Sequence, residues 1–186
     1  MNSIAGEKLY SWYKKKKKTA IANCVDPDEV DWLVQTITEL DSLSLRLGTW
    51  QNQAQIKSNK SLSELTKLWQ QRLQERLPVQ YLVETVFWRR FQLKVTPAVL
   101  IPRPETELII DIALENSLIS GSGQHWVDLG TGSGAIALGL ADVFPEATIH
   151  AVDLSEEALK IAQENANSVN FNHIQFYQAS WWSPLS

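Results

Sequence analysis

Hydrophobic positions in the first eighty or so residues recur at helical spacing. In "DPDEVDWLVQTITEL", Val30, Leu33, Ile37 and Leu40 return every three or four residues and so share one stripe. Asp26 stands where an N-cap is needed, Pro27 suits the first helical position, and the acids that follow complement the helix dipole. "SLSELTKLWQQRLQERL" opens with Ser61 and Glu64 at capping-box spacing, and Leu62, Leu65, Leu68, Trp69 and Leu73 form one face. The segment between them, "GTWQNQAQIKSNK", is polar and reads as a loop. Residues 1–85 are expected to form a small helical bundle.

From Pro78 onward the pattern changes. "VETVFWRRFQLKVTPAVLIP" mixes β-branched and aromatic residues with period-two stretches, which predicts a hairpin acting as a joint over residues 86–100. Residues 101–186 then alternate. "LIIDIALENSLI" is an apolar-striped helix closed by "SGSG", "HWVDLG" a strand and "SGAIALGLADVF" a helix. "ATIHAVDLS" follows as a strand, "EEALKIAQENANSV" as a helix and "HIQFYQAS" as a third strand. Such alternation specifies an α/β fold with a parallel, Rossmann-like sheet flanked by helices.

Composition and charge narrow the function. No apolar stretch approaches the roughly 20 residues that span a membrane. The single Cys24 excludes an internal disulfide and fits a reducing cytoplasm. His125, His150 and His173 lie far apart in sequence without cysteine partners, so no metal site is expected. Residues 1–90 carry 14 Lys and Arg against 10 Asp and Glu, whereas residues 91–186 carry 3 against 11. That split argues for two modules with different partners. The run Lys14 to Lys18 invites a nucleic-acid reading, but without interleaved aromatics the favoured reading is a solvated helix end. Direct nucleic-acid binding is not expected.

Chemistry concentrates in "VDLGTGSGAIALGL". Strand, turn and helix follow without a break, and Gly130, Gly132 and Gly134 let the backbone approach a ligand at the strand's carboxyl end. Thr131 and Ser133 complete the turn. About twenty residues on, Asp153 ends the next strand, where a carboxylate can accept from both ribose hydroxyls. An adenosine-containing cofactor follows. A dinucleotide fingerprint is spaced G-x-G-x-x-G, but here it is G-x-G-x-G, with Asp128 two residues before. That carboxylate would oppose a pyrophosphate and suits the cationic methionine end of S-adenosylmethionine. Trp181, just after the third strand, offers a flat face to an adenine. The plain alternative is that Trp181 and Trp182 simply pack.

"DLGTGSGAIAL", "AVDLS" and especially "PAVLIPRPETE", behind a helical bundle, resemble the release-factor glutamine N5-methyltransferases. The resemblance implies a class I methyltransferase with a helical substrate-binding domain in front. Its reaction would carry the methyl of S-adenosylmethionine to the glutamine amide in the Gly-Gly-Gln motif of class 1 peptide chain release factors. By motif, residues 130–134, Asp128 and Asp153 would contact the cofactor and Trp181 would border its adenine. Arg103, Glu105 and Thr106 of "RPETE" would lie near the substrate entrance, although the same segment also reads as a helix start with Pro104 leading.

Two departures stand out. Family members usually have glycine where this chain has Glu84, and if that turn needs positive φ the cost is about 1 kcal/mol or more. The family's Asn-Pro-Pro-Tyr motif, which holds the amide, does not occur in these residues, so no catalytic residue is assigned. The expectation is a C-terminally truncated chain, inactive alone, carrying three strands of a sheet of about seven. "WVDLG" would then be an exposed, aggregation-prone edge. The other readings are a DNA adenine or other amino-methyltransferase and a non-catalytic protein-binding remnant. An NAD-dependent oxidoreductase is disfavoured by the glycine spacing.

Overall fold

The computed structural model describes residues 2–116 and 123–183, which form two compact units, Met1–Val83 and Glu84–Ser186. In the first unit β1 (Asn2–Ile4) leads into α1 (Gly6–Ala22), α2 (Asp28–Ile37) and α3 (Ser42–Leu47). After β2 (Ile56–Ser58) come α4 (Leu62–Glu75) and the single turn α5 (Val79–Leu82). The predicted stripes are the core, with Val30, Leu33, Leu65 and Trp69 fully buried.

Two reciprocal bonds join α1 to α4. Trp12 Nε1–H donates to Thr66 Oγ1 at 2.9 Å, and Trp69 Nε1–H donates to Thr19 Oγ1 at 3.1 Å. A buried indole N–H without a partner would cost about 1–3 kcal/mol, so these threonines make the tryptophans usable as core residues. Glu29 on α2 receives both Arg72 Nε (2.5 Å) and Nη2 (2.6 Å) from α4, a two-pronged link that fixes the third side.

Three details differ from the sequence reading. The segment read as a polar loop contains a 3-10 turn, Thr49–Asn52, and then β2, which pairs antiparallel with β1 from Asn2↔Ser58 to Ile4↔Ile56. Three residues are too few to show a period-two pattern. Asp26 lies one residue outside the expected cap, because α2 starts at Asp28 with Pro27 as its cap. The Asp26 carboxylate still accepts the Asp28 N–H at 2.9 Å. The lysine run occupies the body of α1 and not a helix end. Lys17 binds Asp31 at 2.6 Å, Lys14 and Lys16 lie over the rings of Tyr10 and Trp12, and Lys15 and Lys18 are exposed. The capping box of Ser61 and Glu64 is present, with Glu64 Oε2 accepting the Ser61 N–H at 2.7 Å.

The second unit opens with the hairpin of β3 (Thr85–Trp88) and β4 (Phe91–Lys94), then α6 (Leu108–Asn116) and β5 (His125–Leu129). It continues with α7 (Ala135–Val143), β6 (Thr148–Asp153), α8 (Glu156–Ser168) and β7 (Gln175–Gln178). Strands β5, β6 and β7 pair in parallel in that order, so β5 is an edge among the described residues. Most of the "SGSG" loop lies outside the described residues.

The hairpin is stitched into this unit along its length. Trp88 Nε1–H donates to the Arg103 carbonyl at 3.1 Å, and the Arg89 N–H donates to Glu107 at 2.9 Å. Arg89 also reaches Asp111 at 2.8 Å, Arg90 grips Asp142, and Lys94 meets Glu164 at 2.8 Å. Helix α6 buries Ile110 completely, while Leu108, Ile109, Ile112 and Leu114 face solvent.

Glu84, at the entry to the hairpin, has φ +52°, so this turn does require the left-handed region. Glu84→Gly is expected to raise stability by about 0.5–1 kcal/mol, the relief of left-handed strain less the added chain entropy of glycine. Urea melts check this, and an unchanged or lowered midpoint would show that the glutamate carries no such strain.

Candidate functional site

Where β5 ends, the chain must reverse into α7 within five residues. It does so through Gly130 (φ +75°), Gly132 (φ +54°) and Gly134 (φ +80°). The N–H groups of Gly130 and Thr131 both donate to the Val152 carbonyl, at 2.8 and 3.0 Å, extending the β5–β6 pairing into the turn. Gly134 answers two demands at once. Its φ favours glycine, and a Cβ there would stand 3.1 Å from Cβ and 3.3 Å from Cα of Ala162, on α8.

Two carboxylates hold the turn from opposite sides. Asp128 is buried, and its Oδ2 accepts from Thr131 Oγ1 at 2.6 Å and from the Ala137 N–H at 3.1 Å. Burial pushes its pKa up, against the pull of those two bonds. Asp153 accepts the Gly132 N–H on Oδ2 at 2.9 Å and the Ser155 N–H on Oδ1 at 2.9 Å. Its carboxylate is half-buried and borders a cavity of about 200 Å³.

The cavity lies at the carboxyl ends of all three strands. Leu129 ends β5 and Gly130 follows it, Asp153 ends β6 and Leu154 follows it, and Ser180 and Trp181 follow β7. Trp181 is 71% exposed and itself sits at φ +52°. A carboxylate, apolar walls and one exposed indole at parallel strand ends can take a flat heterocycle bearing a vicinal diol.

Of the residues singled out from sequence, Gly130, Asp153 and Trp181 line this cavity. Thr131, Gly132, Ser133 and Gly134 shape the turn beneath it. Asp128, expected to contact the cofactor, turns Oδ2 into the turn, toward Thr131 and Ala137. Arg103, Glu105 and Thr106 are not among the lining residues. They lie at the 3-10 turn Pro104–Glu107 that precedes α6, with Arg103 and Glu105 exposed.

Sequence reading missed two contacts. Asn165 gave no motif, yet it is buried and touches the turn. His125 and His150 are far apart in sequence, but parallel pairing brings His125 Nδ1 within 3.1 Å of His150 Nε2. His150 Nδ1 is in turn 3.2 Å from the Tyr177 hydroxyl. Burial and His125 together lower the His150 pKa.

A parallel sheet running into this glycine turn, with an acid closing the next strand, is part of a class I methyltransferase fold. Residues 120–185 match the family described as "Methyltransferase domain". Over 98% of its length the chain is 50% identical to the release factor glutamine methyltransferase of Synechocystis sp.. It is 40% identical over 94% to that of Gloeobacter violaceus and 42% identical over 84% to that of Thermosynechococcus vestitus. The chain is a homologue of the release factor glutamine methyltransferases. It spans 62%, 59% and 54% of the length of those three relatives.

Two outcomes follow from the turn. Gly134→Ala is expected to cost about 2–4 kcal/mol through left-handed strain and crowding against Ala162, read by denaturant melts. Asp128 keeps its proton more readily folded than unfolded, so wild-type stability falls as pH climbs from 3.8 through its raised value. Asp128→Asn lacks this slope and gains on wild type across that window. A constant difference between the two proteins would show that Asp128 is ionised in the fold.

Proposed function

We propose that the whole protein methylates the side-chain amide nitrogen of the glutamine in the Gly-Gly-Gln motif of class 1 peptide chain release factors. The methyl donor in this reading is S-adenosylmethionine. These 186 residues would supply the cofactor site in the second unit and a substrate-binding bundle in residues 1–85. The observation that carries the reading is the 50% identity to a relative of that name through both units, not the glycine turn alone.

The cavity fits the adenosine end of such a cofactor. Asp153 spends one lone pair of each oxygen on backbone N–H groups and keeps others to accept the ribose hydroxyls without releasing the turn. Trp181 would lie against the adenine, and Gly130 would let the ligand close on the backbone. When bound, the cofactor supplies an electrophilic methyl group on a sulfonium. The amide is a poor nucleophile because its lone pair is delocalised, so holding it in line would provide much of the acceleration. Arg103, Glu105 and Thr106 are proposed to border the substrate entrance. No residue here is assigned to the amide, and we propose that residues 1–186 alone bind the cofactor without turnover. The setting in this reading is the cytoplasm.

Calorimetry with S-adenosylmethionine, S-adenosylhomocysteine and NADH tests the reading. The 186-residue chain should bind the first two and not the third, and Asp153→Ala should weaken binding about 10-fold or more. NADH binding, or methyl transfer by the whole protein to DNA adenine and not to a release factor, would overturn it. Turnover of a release factor by the 186-residue chain would overturn the assignment of inactivity alone.

A further inference from the structure

Asn165 lies on the inner face of α8, one turn after the Ala162 that meets Gly134, and is 2% exposed. Its amide makes three hydrogen bonds, using both N–H groups and the oxygen. Oδ1 accepts the Lys94 N–H at 2.6 Å, while Nδ2 donates to the Lys94 carbonyl at 3.0 Å and to the Ser133 carbonyl at 2.9 Å. Lys94 ends β4, where Thr85 of β3 is its neighbour on the other side. The side chain thus exchanges N–H and C=O with Lys94 as another strand would.

The third bond falls on the peptide between Ser133 and Gly134. That peptide is held at both ends, because the Gly134 N–H donates to the Thr131 carbonyl at 2.8 Å while Asn165 takes the Ser133 oxygen. Glycines stand on either side of Ser133, so the local backbone has low-cost alternative conformations and nothing in the turn's own sequence forbids a peptide flip. An amide buried this deeply is costly unless every bond is made, and an apolar residue would fill the same space without that risk.

We infer that Asn165 is a positioning residue for the cofactor site. It locks the Ser133–Gly134 peptide so that the turn presents one fixed backbone to the ligand, and it ties that turn to the hairpin through Lys94. The inference rests on the proposed cofactor site, but the lock itself is measurable without any ligand.

Asn165→Asp keeps the shape and the acceptor for Lys94, yet sets carboxylate oxygen against two carbonyl oxygens. Amide hydrogen exchange across residues 130–134 should then quicken about 10-fold or more relative to the β5–β6 ladder. Affinity for S-adenosylhomocysteine should fall by a similar factor. Glu164→Gln, which breaks the neighbouring ion pair to Lys94 without touching Ser133, should change neither. If Asn165→Asp does not fold, Asn165→Ala removes the amide without adding charge and is read the same way. Unchanged exchange in the turn, or a uniform rise across the whole second unit, would overturn the inference and leave Asn165 a stabilising residue only. If the wild type binds no S-adenosylhomocysteine, the proposed function fails, and local exchange alone decides the role of Asn165.

Discussion

The second unit depends on one constraint, the approach of α8 to the glycine turn. At Gly134 the helix comes so near that a single methyl group would meet Ala162 at 3.1 Å. That closeness lets the short side chain of Asn165 reach the Ser133 carbonyl, and it sets β6, which feeds α8, directly beside β5. With β6 there, Val152 can receive two N–H groups from the turn and Asp153 a third. The site is a consequence of backbone packing, and its carboxylates are positioned before any ligand arrives.

Four of the turn's backbone N–H groups, those of Gly130, Thr131, Gly132 and Gly134, are bonded within the protein, which helps so bare a loop keep one shape. Asp128 closes it from inside and Asp153 from outside, while Asn165 fixes the peptide between. Each of these groups would be expensive to bury alone. Together they make a rigid floor whose remaining lone pairs, on Asp153, face a cavity at the strand ends. This is the kind of preorganisation that lets a binding site spend little ordering energy on its ligand.

The first unit is governed by a different solution to the same problem. Its core is rich in tryptophan, and Trp12 and Trp69 are accommodated because threonines on the facing helix accept their N–H groups. Its lysine run is likewise divided by packing. Lys17 is tied to Asp31, beside a Tyr13 hydroxyl whose pKa burial and Asp31 push to about 12, whereas Lys15 and Lys18 stay in solvent. A run of identical residues therefore holds several environments.

Periodicity alone determined α2 and α4 of the bundle, the hairpin, and the alternation that makes a parallel sheet, because these follow from local spacing of apolar residues. The glycine turn and Asp153 were legible for the same reason, since the turn needs positive φ at fixed positions and the acid follows at a fixed strand length. Tertiary structure alone decided which way the side chains face. Asp128 points into the turn because burial offers it Thr131 and Ala137. Asn165 matters because α8 packs against that turn. His125 meets His150 because β5 and β6 lie side by side, with the two rings two register positions apart on neighbouring strands. The pairing of β1 with β2 was hidden because three residues carry no period. Spacing along the chain encodes elements, but contacts between distant residues arise only when those elements pack.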